Sequence, residues 1–303
     1  MRARHPFGRV PSRPRGLFAV LVVAAGLALP AACRPAPPVP VARRLCEGAA
    51  PVRAGTLQPP DLKELSGLAA SRVLGGVLWA HNDSGDVPRL FAIDRAGARR
   101  ATVAVNVAAA ADWEDLAIDG TNLYVGDIGD NARVRPTITV HRVREPALDA
   151  TAVNATTFTL RYPDGAHDAE ALMVDPIGRK LVVVTKEFGG NSGVYTTSLD
   201  TPGQLQLAVR LQLGPGQLVT AGDINVRGDA IALRTYGRVF VWNRAGTESI
   251  AAAMRRPPCQ APAPPDAQGE ALALLPTGDR YMTASEGVHV PLWQVLAGTG
   301  SAP

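Results

Sequence analysis

Residues 112–131 read DWEDLAIDGTNLYVGDIGDN, two short apolar runs with carboxylates on both sides of each. Runs this short, separated by an Asp-Gly-Thr-Asn turn, suit a pair of antiparallel β-strands better than a helix. An antiparallel pair starts and ends at the same edge. Glu114 and Asp115 at the start of the first strand therefore meet Asp127 and Asp130 at the end of the second. The chain has concentrated acid at one end of one hairpin.

The outline recurs. ELSGLAAS at 64–71, DAEALMVD at 168–175, TAGDINVR at 220–227 and QGEALALL at 268–275 repeat the first strand, and aligning Ser66, Glu114, Glu170, Gly222 and Glu270 gives spacings of 48, 56, 52 and 48 residues. Each is followed by a second apolar run ending in polar residues and glycine: LWAHNDSG, LYVGDIGDN, LVVVTKEFGG, AIALRTYG and YMTASEG. Third and fourth strands complete most units, as in RLFAID or RVFVWN and then TTFTLRY or LQLAVRLQL. Four short strands per unit of about fifty residues is the pattern of a β-propeller blade. The chain is thus expected to be all-β, a propeller of five blades with six as the alternative. The last unit has only three strands, and APVRAGTLQ at 50–58 is expected to supply its outer strand and close the ring.

Residues 1–32 join a basic stretch to the apolar run LFAVLVVAAGLALP, the layout of a secretory signal peptide. The LPAAC ending at Cys33 resembles a bacterial lipoprotein signal, which would put a lipid on that cysteine. Residues 33–45 then form a proline-rich tether expected to stay extended through Arg43, and 46–303 a single propeller domain. The expected location is secreted, cell-surface or periplasmic. Losing the signal removes five arginines, which leaves 26 basic against 27 acidic residues and no basic stripe to track nucleic acid. Cys46 and Cys259 remain as an even pair, either one long-range disulfide or two free thiols.

Strand direction gathers Asp83, Asp86, Asp127, Asp130, Glu187 and Glu286 at the rim where Ser66, Glu114, Glu170 and Glu270 begin the inner strands. Like charges on one axis raise one another's pKa, and a hard cation relieves them. Calcium takes six to eight oxygen ligands, whereas zinc or copper would want the histidine or cysteine that the ring lacks. A solvated channel is the other reading. ELSGLAAS, DWEDLAIDGTNLYVGDIGDN and QGEALALLPTGDRYMTASEG resemble the inner-strand pairs of the calcium-activated nucleotidase (apyrase) family. The resemblance implies a five-bladed propeller with Ca2+ on its axis, held by inner-strand serines and glutamates at Ser66, Glu114, Glu170 and Glu270. Gly222 departs from it, with Thr220 or a carbonyl as substitute and Asp223 next door. The same phrases also resemble secreted phytase-like esterase propellers.

No Gly-x-Ser-x-Gly elbow, HExxH or phosphate-cradling loop occurs. His81, Asp83 and Ser84 in HNDSG fit a polar turn better than a triad, and Trp79 and Trp113 suit packing between blades. Asp127 and His167 are the candidates for proton transfer, with Tyr236, Arg238 and Arg234 as basic or aromatic neighbours. Two classes of function follow, with enzymatic activity left open. One is a monomeric binding module for an extracellular ligand or protein, touching membrane only through Cys33. The other is a calcium-dependent hydrolase of phosphate or carboxylic esters.

Overall fold

The computed structural model describes residues 39–266 and 268–299. The expected signal peptide and Cys33 lie outside the described residues. The proline-rich segment differs from expectation at its end, because Val41–Cys46 is a helix, α1. Six residues are too few to hold a helix alone. Burial of Val41, Ala42 and Leu45 holds it, together with a disulfide from Cys46 to Cys259, 213 residues away. Losing such a bond costs about 2–5 kcal/mol, and its presence points to an oxidising setting, extracellular or periplasmic. Among the described residues no helix is long and apolar enough to cross a membrane.

After α1 comes β1 (Val52–Thr56), then a run of antiparallel strands. The first unit holds β2 (Leu65–Ala70), β3 (Val77–Asn82), β4 (Arg89–Asp94) and β5 (Arg99–Asn106). The second holds β6 (Trp113–Asp119), β7 (Asn122–Asp127), β8 (Ile138–Arg144) and β9 (Ala152–Leu160). The third holds β10 (Ala169–Asp175), β11 (Lys180–Thr185), β12 (Gly193–Ser198) and β13 (Gln206–Arg210). The fourth holds β14 (Val219–Ile224), β15 (Ala230–Thr235), β16 (Val239–Asn243) and β17 (Cys259–Ala261), with a short helix α2 (Ile250–Met254) before β17. β18 (Gly269–Leu274), β19 (Arg280–Ser285) and β20 (Pro291–Leu296) end the chain, and β1 pairs with β20 to complete their sheet. Unexpectedly, the outer strands β5 and β9 pair in parallel, which joins the first two units into one eight-stranded sheet. These long outer strands cover each other's edges, which would otherwise expose unpaired backbone groups.

The inner strands β2, β10, β14 and β18 are buried along their whole length. Each is sandwiched between neighbouring sheets, so both faces are apolar. The packing runs round a circle: β2 meets β6, β6 meets β10, β10 meets β14, β14 meets β18, and β18 returns to β2. An apolar cluster lies at each of these junctions. Trp79 and Trp113 share one between the first two units, and α1 contributes to the one beside β16 and β18. The fold is a β-propeller. Alternating strand direction puts the starts of the inner strands and the second-to-third-strand connections at one end of the channel, here called the mouth.

Candidate functional site at the mouth of the channel

Each inner strand begins with a break in register. The pairing skips from Leu65 to Leu68, Trp113 to Asp115, Ala169 to Ala171, Val219 to Ala221 and Gly269 to Ala271. A β-bulge re-aims the side chain it carries, and bulges gather beside functional sites. The residues lifted out of the ladder are Ser66 with Gly67, then Glu114, Glu170, Thr220 and Glu270. The fourth member of the ring is therefore Thr220, not the aligned Gly222. Gly222 is a packing position, where a Cβ would meet Leu233 Cδ2 at 2.8 Å and the Met173 sulfur at 3.0 Å. The Thr220 hydroxyl donates to the Gly269 carbonyl (2.7 Å), and the Ser66 hydroxyl donates to the Glu114 carbonyl, so both span adjacent units.

Glu114, Glu170 and Glu270 are only 3%, 5% and 5% exposed. Carboxylate oxygens of Glu114, Asp168 and Glu170 all lie within 4.8 Å of one another, as do those of Asp83, Asp112 and Glu114. Glu270 stands outside both trios, and no hydrogen bond or ion pair to its side chain is found among the described residues. Burial is the main cause that lifts these acids. Glu170 is pushed up to about 8 by burial, against the pull of Lys186. Glu270 is pushed to about 7. Burial and the Asp83 charge bring Asp112 to about 6, and Glu114 rises well above the usual range through burial and Glu170. Asp83 and Glu286 are raised as well, again chiefly by burial.

Among the described residues one cation is ion-paired with these acids, while Arg234 and Arg135 act on Glu270 and Asp112 from farther off. Lys186 Nζ lies 2.5 Å from Glu170 Oε1 and 5.2 Å from the centre of the Tyr236 ring. Its ammonium pKa is raised, with Glu170 the main charge opposing burial. Lys186 went unnoticed in the sequence, as did Asp112 and Asp168. A signal for the last two was present: each stands two residues before a ring glutamate, in DWE and DAE.

One residue further along β6 the environment changes. Asp115 is fully buried and its carboxylate accepts from Leu116 N (2.8 Å), Leu172 N (2.9 Å) and Gly222 N (3.1 Å), tying three inner strands together. Asp223 accepts from Leu274 N (2.8 Å) and is pushed by burial to about 6. Toward the other end, buried Asp175 is held by Arg244 at 2.5 and 3.1 Å.

The other expected residues are placed as follows. Asp127 is bound by Arg135 (2.6 Å) and accepts from Ala111 N (3.0 Å), so its carboxylate is engaged in structure rather than free as a base. His167 lies beside the ring, its Nε2 3.0 Å from both Asp164 Oδ1 and the Tyr195 hydroxyl. The HNDSG residues form no relay. His81 is buried with Nδ1 2.8 Å from the Asn82 carbonyl and its ring edge-on to Trp113, and burial lowers its pKa. Arg234 is buried against Gly269, 3.7 Å from Asp266, and Arg238 reaches Gln260 instead of the ring. Beside the ring, Asn131, Arg133, Asp168, Lys186, Glu187 and Phe188 line a cleft of about 270 Å³.

No protein-family model matches the chain, and no curated protein matches it. Among solved structures it is similar to a gluconolactonase from Xanthomonas campestris, with 11% identity over 88% of this chain and 99% of that one and a TM-score of 0.51. It is also similar to a chain of a nidogen–laminin complex, with 14% identity over 78% and 84% of the two chains and a TM-score of 0.48. At such identities the first likeness speaks for the propeller fold alone.

Proposed function

We propose that the chain is an exported, five-bladed propeller that holds one calcium ion at its mouth and binds a partner with that face. The observation that carries the reading is the buried carboxylate ring. Glu114, Glu170 and Glu270 are almost wholly buried, and among the described residues only Glu170 is ion-paired, to the Lys186 ammonium, an arrangement that needs either protons or a cation. The donors are all oxygens, which suits calcium and not zinc. Ser66, Glu114, Glu170 and Glu270 would hold the ion, with Thr220 as the fifth oxygen and Lys186 moving off Glu170. A hydroxyl in the fourth unit brings the ring nearer to the nucleotidase pattern of serines and glutamates. Five junctions between neighbouring units support five blades. The disulfide supports export, and tethering through Cys33 would hold the propeller at a membrane surface.

A thermal melt of the purified chain tests this. At about a hundred times its dissociation constant, a ligand of the folded state adds roughly 2.7 kcal/mol. The expected result is a calcium-selective rise in Tm, absent with EDTA and abolished by Glu170→Gln. No shift with any divalent cation would leave the mouth a solvated channel.

A hydrolase is the second reading, favoured by Asp112, whose carboxyl is raised to about 6 next to Glu114. A carboxylate near neutral pKa is suited to proton transfer, and among the described residues no hydrogen bond or ion pair engages the Asp112 side chain, whereas Asp127 is bound by Arg135. Asp112→Asn should then lose turnover on a panel of nucleoside diphosphates, phosphate esters and acyl esters while keeping the calcium shift. An inactive wild type with calcium bound would end this reading.

A further inference from the structure

The exposed apolar side chains are not scattered evenly. Among the described residues nine large hydrophobics are exposed, and four of them sit on second-to-third-strand connections: Val87 (64%), Val134 (73%), Phe188 (80%) and Val288 (54%). Those connections open at the mouth in four of the five units, and the fifth carries Tyr236 and Gly237. The tips are held in place. Asp86 accepts from Val87 N (2.8 Å), and Asp130 accepts from Val134 N (3.0 Å) and Arg135 N (2.7 Å). Gly190 N closes the turn under Phe188 on the Glu187 carbonyl (2.9 Å), and Gly287 N donates to the Lys63 carbonyl (2.8 Å). Large apolar groups fixed on a water-exposed rim mark an interaction surface.

Charge decides what the surface accepts. Inside the apolar rim, no basic nitrogen of the described residues lies within 4.0 Å of the Asp83, Asp112, Glu114, Asp168, Glu270 or Glu286 carboxylates. One divalent ion would offset two charges and Arg133 on the Val134 tip is paired to Glu187 (2.8 Å), so carboxyl groups still outnumber cations at the mouth. Two such mouths repel, which disfavours a second copy of this chain, and an anionic bilayer is repelled in the same way. The mouth already accommodates an alkylammonium, since Lys186 lies between the Glu170 carboxylate and the Tyr236 ring. We propose that this face docks a polypeptide segment presenting a lysine or arginine flanked by apolar residues. The cation enters the carboxylate mouth, and the flanks cover Val87, Val134, Phe188 and Val288. The inference rests on the binding reading above and not on the identity of the ion.

The test is selection by the full chain from a library of nonapeptides with central lysine or arginine and random flanks, in calcium and again in EDTA. Apolar flanks should be enriched. The best peptide should lose at least tenfold in affinity when its central residue becomes glutamate, and similarly for the Val134→Ser/Phe188→Ser variant and for Glu270→Gln. Wild-type binding should weaken severalfold in 0.5 M salt, since exposed charge attraction is screened (roughly) within a few ångströms at such ionic strength. The tips are exposed, so the double variant should melt like the wild type. No enrichment, or a selected peptide indifferent to the tips, overturns the proposal. Tip-dependent binding to phosphatidylcholine–phosphatidylserine vesicles, or tip-dependent dimerisation, overturns it in favour of a bilayer or a second copy. A failed selection beside an intact calcium shift removes the docking partner and leaves the metal reading standing.

Discussion

Glu114 and Asp115 are consecutive residues of β6, both acidic and both buried, and they live in opposite circumstances. The bulge turns Glu114 toward other carboxylates at the mouth. Asp115 points into three backbone N–H groups contributed by three inner strands. Burial raises both pKa values, but only Asp115 has a full set of donors to offset it. A satisfied buried carboxylate is a structural clamp, and an unsatisfied one stores the tendency to bind a proton or a metal. The two layers of the channel thus share an amino-acid type and differ in what each contributes, the lower one rigidity and the upper one affinity.

The contrast is broken most directly by removing one acid from each layer. Asp115→Ala leaves three buried N–H donors without partners and should destabilise the chain by about 3 kcal/mol in urea unfolding, at 1–3 kcal/mol per orphaned group less the relieved burial of the acid. Glu114→Gln relieves a crowded charge and should leave the metal-free protein as stable or about 1 kcal/mol more stable, while abolishing the calcium shift. Equal losses from both variants would erase the distinction between the layers.

A smaller effect comes from pH. The mouth acids have folded pKa values above their unfolded ones, with Asp112 at about 6, Glu270 at about 7 and Glu170 at about 8. The folded state therefore holds protons that the unfolded chain has released. Stability is greatest below the unfolded values and falls in EDTA as pH rises through the folded ones, between about pH 5 and 8. Acids with lowered values, such as Glu248 and Asp279 at about 2, act only at lower pH and outside that window. Calcium should flatten the slope because the ion takes the place of the protons. A flat profile in EDTA would mean that the ring acids ionise freely.

Much of this was legible in the primary structure, and the omissions have physical causes. The repeat shows because an inner strand buried on both faces must be an unbroken apolar run, with its acid at the start, as in EDLAI, EALMV and EALAL. Lys186 was hidden because a lysine side chain is long enough to reach across to Glu170, sixteen positions back, and spacing along the chain gives no hint of it. Helix α1 carries no period, since its six residues are held by packing and a disulfide instead of by propensity. The apolar tips at Val87, Val134, Phe188 and Val288 lie in polar turns, where single hydrophobics attract no notice until the fold gathers them on one rim. Thr220 was set two places off because the fourth unit, TAGDI, has no glutamate to mark the bulged residue as it is marked in EDLAI, EALMV and EALAL.

That misalignment yields the smallest and sharpest prediction. Thr220→Val keeps shape but deletes the hydroxyl that donates to Gly269 O, and should cost about 1 kcal/mol for one buried hydrogen bond. A hydroxyl whose proton is given to Gly269 still has lone pairs to offer an ion. The calcium-induced rise should therefore shrink in Thr220→Val by more than the lost stability explains, and Thr220→Ser should restore both. If position 222 were the true ring position, Thr220→Val would lower the midpoint with and without calcium equally. The difference between the two midpoints, measured in one instrument on three proteins, thus decides which residue of the fourth unit belongs to the upper layer.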